Sequence, residues 1–370
     1  MRAVSLRELV NAIQGRPIRI LLQDVTFERV QTDSRRVRPG DIFWALRGQQ
    51  HDGHNFLTEA MERGAVACIA EHGRIDSGEF PVIAVGDTQL ALWDFAAWYR
   101  NQVNTRIIGV TGSVGKTSTR HMIYSMLSSA IPGTESPGNF NNEIGVPLSL
   151  LGISEDDQFA AIELAAGKPG DIADLARMAR PDIGVITSVE PCHLETFGSL
   201  EQIAQTKGEL LDYLPETGLA ILNGDNPWVR DLGCYARCNV LQVGTGDHCD
   251  LRADAVRSDN GVLRFVADGQ EYAIQSPGTH LLTSALSAIA IGRVRGFVSR
   301  DKSDIVRRIG YLKNIDMSRL DRLFQRKSEF VDKQAAVKLE AIILGLTKCE
   351  RLTIALGLCE ILKFGEIVRV

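Results

Sequence analysis

Long apolar runs are missing from this chain. None of its 370 residues lie in a stretch approaching the roughly 20 apolar positions that a membrane span needs, and Met1 to Val10 carries Arg2, Arg7 and Glu8 where a secretory leader would carry an apolar core. A cytoplasmic protein with no membrane span is the expectation. Excess positive charge is missing too. With 41 Lys and Arg against 46 Asp and Glu the net charge is -5, so nucleic acid is not an expected partner. Paired cysteines are scarce. The seven, Cys68, Cys192, Cys234, Cys238, Cys249, Cys349 and Cys359, are odd in number and scattered. Only Cys234 and Cys238 lie close together, with no second pair to complete a zinc site, so reduced thiols are expected. The rest of the composition, 44% apolar and 24% charged, is that of an ordinary globular enzyme, long enough for two or three domains.

What is present is a glycine turn between a strand and a helix. Ile107-Ile108 leads into Gly109-Val110-Thr111-Gly112-Ser113-Val114-Gly115-Lys116-Thr117-Ser118-Thr119, and Arg120 to Leu127 continues with apolar residues at helical spacing. This is the context of a phosphate-binding loop. Gly112 and Gly115 let the backbone turn with its N–H groups inward, so that a phosphate sits at the positive end of the helix. Lys116 adds a charge for the terminal phosphates and Thr117 a hydroxyl for magnesium. The usual spacing has glycine five residues before Gly115, where this chain has Val110. A nucleoside triphosphate is the expected ligand; a tight turn with an incidental lysine is the plain alternative.

Residues 1–102 read as a small α/β unit: helix Leu6 to Ile13 capped by Ser5, an extended stretch from Ile18 to Val30, a strand at Ile42 to Leu46, a helix from Leu57 to Arg63, strands at Ala65 to Ala70 and Pro81 to Val85, and a helix from Gln89 to Arg100. Two polar stretches interrupt it. Thr32-Asp33-Ser34-Arg35-Arg36 gathers hydroxyl, carboxylate and guanidinium groups that suit a phosphate or sugar, or a solvated loop. Gly48 to Phe56 leaves a buried strand, where α/β folds place ligand groups. Residues 103–295 alternate strand and helix as in a mainly parallel sheet. Glu163 ends the strand Phe159 to Leu164, a position suited to magnesium; Asp182 to Val189 is a buried strand running into Glu190-Pro191-Cys192-His193; and the helix from Ser199 to Leu214 carries Lys207. Asp250 to Ile274 reads as a β-meander, with Asp259-Asn260-Gly261 and Asp268-Gly269-Gln270 as hairpin turns.

Together these stretches resemble the Mur ligases. The resemblance is carried by Thr32 to Arg35, Gly48 to Phe56, Thr111 to Thr117, Asn139 to Pro147, Glu163-Leu164, Pro191 to Glu195 with Phe197 to Ser199, and Lys207 to Glu209, and it spans about 1 to 295 in the family's order. It implies an α/β protein: a small N-terminal UDP-sugar-binding domain (1–102), a central P-loop parallel-sheet ATPase domain (103–295) and a partial, divergent C-terminal α/β domain (296–370). It implies that Gly112, Ser113, Gly115, Lys116, Thr117, Ser118, Asn142 and His280 face ATP, and that Thr117, Glu163, His193 and Lys207 hold magnesium, with Lys207 carbamylated. Lys116, Lys207 and His193 are then the catalytic set, and Ser34, Arg35, Asp52, His54 and Asn55 face the UDP-sugar. The implied reaction is ATP-driven amide formation joining D-alanyl-D-alanine to UDP-N-acetylmuramoyl-tripeptide through an acyl phosphate, by a monomer.

Two departures accompany the resemblance. In Gly278 to Leu286 the family has asparagines, assigned to nucleotide binding, where this chain has Leu281 and Ser284; leucine makes no hydrogen bond and serine replaces an amide only in part. Residues 296–370 stand where the family has a full third domain, with Ser328 to Ala336 replacing its expected motif. A degenerate homologue that binds nucleotide or UDP-sugar without ligating is therefore the second reading. A P-loop kinase is a weaker one, since no base for a hydroxyl acceptor is evident.

Overall fold

The computed structural model describes residues 1–294 other than 21–24, 49–50, 76–79, 193 and 276–277. The expected C-terminal domain at 296–370 lies outside the described residues. The described residues form two compact units, one within 1–109, 132–166 and 170–182, the other within 110–131, 167–169 and 183–294.

In the first unit, helix Leu6–Ile13 begins in a capping box, Ser5 Oγ accepting the Glu8 N–H and the Glu8 carboxylate accepting the Ser5 N–H (3.2 and 2.8 Å). A five-stranded sheet runs in the order Arg16–Ile18, Val82–Val85, Ala67–Glu71, Ile42–Trp44, Val30–Gln31. Its first pairing is antiparallel and the others are parallel. Ile42–Trp44 is buried on both faces, as a parallel strand covered on two sides must be. Trp44 stacks on Phe95 of helix Thr88–Arg100 (5.9 Å between centroids) and donates its indole N–H to the Thr88 carbonyl (2.7 Å). Aromatic surface is thus buried without orphaning the polar edge. The unit also holds the parallel pair Gly133–Glu135 and Phe159–Glu163.

Cys68, in the central strand, is fully buried, and that burial pushes its thiol up to about 12. Only the thiolate attacks a disulfide reagent. At about pH 8 such a reagent is expected to label exposed Cys234 readily and Cys68 only after unfolding; peptide mapping that finds both labelled at similar rates in the native protein contradicts the buried strand.

In the second unit, the strands Ile183–Ile186, Leu219–Asn223, Asn239–Gly244 and Leu251–Asp259 lie side by side in parallel. Val262–Ala267 and Gln270–Gln275 then extend the sheet antiparallel, as the meander reading expects. Both hairpin turns have two central residues at positive φ: Asn260 and Gly261 at 50° and 73°, Asp268 and Gly269 at 51° and 72°. That is the backbone for which these residue pairs are suited. Helix Lys116–Leu127 packs against helix Leu282–Gly292, with a buried hydroxyl pair, Thr119 and Ser284 at 2.8 Å, between them. No helix among the described residues is long and apolar enough to cross a membrane.

Candidate functional site

The strand Arg106–Thr111 ends where helix Lys116–Leu127 is about to begin, and the turn between them needs its glycines. Gly112 has φ +147°, and a Cβ there would overlap the Thr187 hydroxyl and lie 3.0 Å from Ser188 N. Gly115, at φ +82°, is the helix N-cap and has room around it. Gly112 is thus required by conformation and by space, Gly115 by conformation alone.

The loop is held from beneath by the end of the strand Ile183–Ile186. The Thr187 hydroxyl lies within donating distance of two carbonyls, Val114 (2.6 Å) and Thr111 (3.2 Å). Ser113 N–H donates to the Ser188 carbonyl (2.8 Å) and Val114 N–H to Ser188 Oγ (3.0 Å). Ser113 Oγ accepts the Glu190 N–H (2.9 Å), and Cys192 Sγ lies 3.3 Å from it. These bonds correct one expectation: the Ser113 and Val114 N–H groups do not point inward, because Ser188 accepts both. The donors for an anion begin further on, at Gly115 and the first turn of the helix.

That first turn suits an anion. The helix has no side-chain cap and no acidic residue there, and its first residue is Lys116. A cation at the positive end of a helix is unfavourable by about 0.3–1 kcal/mol, and negative charge between the two would turn that cost into attraction. Lys116 Nζ donates to the Gly112 and Ser113 carbonyls (2.8 and 3.0 Å), which keeps the ammonium over the loop. Thr117 is exposed and Ser118 half-buried beside it. The Thr111 hydroxyl, fully buried at the end of the strand, has no hydrogen-bond partner among the described residues. Glycine cradle, uncapped helix and lysine together fit a polyphosphate.

Elsewhere in this unit, Lys207 on helix Leu200–Asp212 is buried, 2% exposed, with Nζ 5.7 Å from the centre of the Phe197 ring. An ammonium so buried is costly unless partners or chemistry neutralise it. His193 lies outside the described residues. His280 is exposed, at the 3-10 turn Thr279–Leu281. Leu281 and Ser284 are each 2% exposed; serine serves the pair with Thr119, and leucine fills apolar space. Sequence reasoning read these two as lost amides, whereas here they stabilise packing.

The other expected residues belong to the first unit. Glu163 is 1% exposed at the end of its strand and accepts the Asn141 side-chain N–H (2.8 Å). Asn142 accepts the Gly145 N–H (3.0 Å) at the start of helix Gly145–Leu151. No three of His, Cys, Asp and Glu gather as a metal cluster among the described residues. A magnesium-nucleotide site does not require one, since magnesium keeps waters and phosphate oxygens beside one or two carboxylates.

Ser34 is buried and donates to Glu59 Oε2 (2.8 Å). Arg35 is exposed and paired with Asp33 (2.8 Å), and that bonding holds the Asp33 carboxyl below the usual range. Asp52 caps the 3-10 turn Gly53–Phe56. His54 Nε2 accepts the Glu71 N–H (3.0 Å), so the ring proton is assigned to Nδ1, which donates to Asp52 Oδ1 (2.6 Å). Burial pushes the Asp52 carboxyl up; the His54 backbone and ring hydrogen bonds and the Arg74 charge outweigh this and hold it below its ordinary value. Ser34, Asp52 and His54 therefore shape the two loops, and exposed Asn55 and Arg35 stand at their surface.

Known proteins match this arrangement. The family model described as Mur ligase family, catalytic domain, matches residues 26–101, and that for the Mur ligase middle domain matches 110–292. A UDP-N-acetylmuramoyl-tripeptide–D-alanyl-D-alanine ligase of Bacillus subtilis is 33% identical over 300 residues, which cover 80% of this chain and 65% of that protein. The chain thus spans somewhat under two thirds of the length of that relative. A crystal structure of MurF from Acinetobacter baumannii aligns with TM-score 0.75 at 28% identity, covering 84% of this chain and 68% of the other. One of MurF ligase from Thermotoga maritima, in complex with ADP, aligns with TM-score 0.66 at 31% identity, covering 77% and 66%. With its phosphate loop inside one matched segment and four of the five strands of its N-terminal sheet inside the other, the chain belongs to the Mur ligase family.

Proposed function

We propose that the protein is an ATP-dependent amide ligase of peptidoglycan precursor synthesis, adding D-alanyl-D-alanine to UDP-N-acetylmuramoyl-tripeptide. The observation that carries this reading is the phosphate loop, whose glycine backbone, uncapped helix and Lys116 suit a triphosphate. Relatives that share about a third of their residues and bear that activity in their names support the substrates. In the proposed reaction a carboxylate oxygen of the tripeptide attacks the γ-phosphorus of ATP, and the β–γ bond breaks as ADP leaves. The free amine of D-alanyl-D-alanine then attacks the acyl carbon, and phosphate leaves as the amide forms. Both partners in the first step are anions, so Lys116 and the helix terminus lower the barrier by opposing the charge that builds on the transferred phosphoryl group.

Thr117, Glu163, His193 and Lys207 are proposed to hold magnesium, which neutralises phosphate charge when bound. Lys207 suits this role as a carbamate, because carbon dioxide on Nζ replaces a buried cation with an anion. Gly112, Ser113, Gly115, Ser118, Asn142 and His280 are proposed to face ATP, and Ser34, Arg35, Asp52, His54 and Asn55 the UDP-sugar, with the first two and last three on separate loops. The division at 1–102, 103–295 and 296–370, a monomeric state and a cytoplasmic location belong to the same proposal.

Phosphate release from ATP tests it. Release is expected only when UDP-N-acetylmuramoyl-tripeptide and D-alanyl-D-alanine are both present; bound nucleotide with no release above background supports a binding protein instead. Lys207→Ala is expected to lower the rate by at least the 10–100-fold typical of losing a group that supports a metal site. A fully retained rate removes the carbamate role.

A further inference from the structure

The groups that hold the phosphate loop form a continuous series reaching back into the neighbouring strand. Strands Ile183–Ile186 and Leu219–Asn223 are parallel neighbours with Ile186 opposite Leu222, so Thr187 and Asn223 follow at their carboxyl ends. Asn223 Nδ2 donates to the Thr187 carbonyl (2.8 Å), and Asn223 Oδ1 accepts the Asp225 N–H (3.1 Å), which fixes the amide with its nitrogen toward Thr187. Asn226 Nδ2 donates to the Val189 carbonyl (3.1 Å) and to Glu190 Oε1 (3.2 Å), while its Oδ1 caps helix Pro227–Leu232. The segment 187–190 is thereby held from one side by two asparagines and holds the loop on its other side.

Thr187 is the point of contact. It is 4% exposed, and its hydroxyl lies under the loop, within reach of the carbonyls of Thr111 and Val114 that bracket Gly112. A β-branched side chain has few χ1 wells, so this hydroxyl defines one depth for the turn. Gly112 can approach it only because it has no Cβ. Two of the loop's N–H groups are already accepted by Ser188, so the position of the remaining donors, from Gly115 onward, depends on how the loop is seated.

We infer that Thr187 is a positioning residue for the terminal phosphates of ATP, itself set in place by Asn223. The inference rests on the nucleotide reading above. It predicts a defect confined to ligands that reach the loop. Thr187→Val keeps shape and removes the hydroxyl; in equilibrium binding it is expected to weaken ATP and ADP about tenfold, the effect of one well-placed hydrogen bond, and to leave AMP alone. Thr187→Ser, which restores the hydroxyl, is expected to return ATP affinity to within about threefold. Asn223→Asp, which replaces the donor to the Thr187 carbonyl with a carboxylate, is expected to lower the melting temperature and to produce the same loss of ATP and ADP with AMP affinity retained. ATP binding by Thr187→Val equal to the wild type overturns the inference, as does an equal loss of ATP, ADP and AMP that serine does not rescue, which would mark a purely structural role. A wild-type protein that binds none of the three overturns the nucleotide reading and this inference with it.

Discussion

Lys116→Ala is expected to lower ATP turnover by about two to three orders of magnitude, the usual cost of removing one preorganised group from a charge-stabilising site. Two hydrogen bonds that hold the side chain lie within its own loop. Lys116 is half-buried, its ammonium donates to the Gly112 and Ser113 carbonyls, and its charge stands at the end of the helix where a cation is disfavoured. Losing those hydrogen bonds and relieving that repulsion act in opposite directions, so the loss of turnover is expected to far exceed any change in stability. Steady-state phosphate release together with thermal melting separates the two effects. A variant that melts as the wild type does and turns over ATP at the same rate would show that the loop is a turn with an incidental lysine.

The two glycines of the loop give the second large effect, and their difference is the informative part. Gly112→Ala meets two costs at once. Its φ of +147° is one that alanine rarely adopts, worth roughly 1–3 kcal/mol. Its new methyl group would overlap the Thr187 hydroxyl and crowd Ser188 N, adding roughly 1–3 kcal/mol for overpacking. A loss of about 3 kcal/mol or more in unfolding free energy is expected, with displacement of the loop. Gly115→Ala meets only the first kind of cost, since its nearest neighbour, Thr187 Cβ, stands 3.7 Å away; about 1 kcal/mol is expected. Denaturant titration of both variants decides the matter. Equal losses would mean that Thr187 does not lie where the loop needs it.

What could be read in advance was whatever the backbone demands of a residue type. Asn260-Gly261 and Asp268-Gly269 announce turns because few pairs tolerate two positive φ values, and Gly115-Lys116-Thr117 announces a helix start built for an anion. The buried strands were legible from their unbroken apolar runs. The ledge beneath the loop was not. Thr187 and Ser188 are common residues at a strand end, and their partners lie more than 70 positions earlier in the chain, so nothing local marks them. For the same reason the outward turn of the Ser113 and Val114 N–H groups escaped the sequence. Ser284 was legible only as an incomplete substitute for an amide; its bond to Thr119 spans 165 positions. The resemblance, not composition, is what assigns Ser34 and His54 to the UDP-sugar. In the structure one donates to Glu59 and the other bridges Asp52 and Glu71, contacts between distant stretches that composition does not reveal.

On the proposed function, a triphosphate bound at the loop is consumed to make an amide. Mass spectrometry of the reaction mixture tests it most directly. With ATP, magnesium, UDP-N-acetylmuramoyl-tripeptide and D-alanyl-D-alanine, the proposed function predicts the tripeptide precursor gaining one dipeptide with loss of water, in step with one ADP and one phosphate, and no product when the dipeptide is withheld. Nucleotide bound by the same preparation, with the precursor mass unchanged at all times, would contradict it.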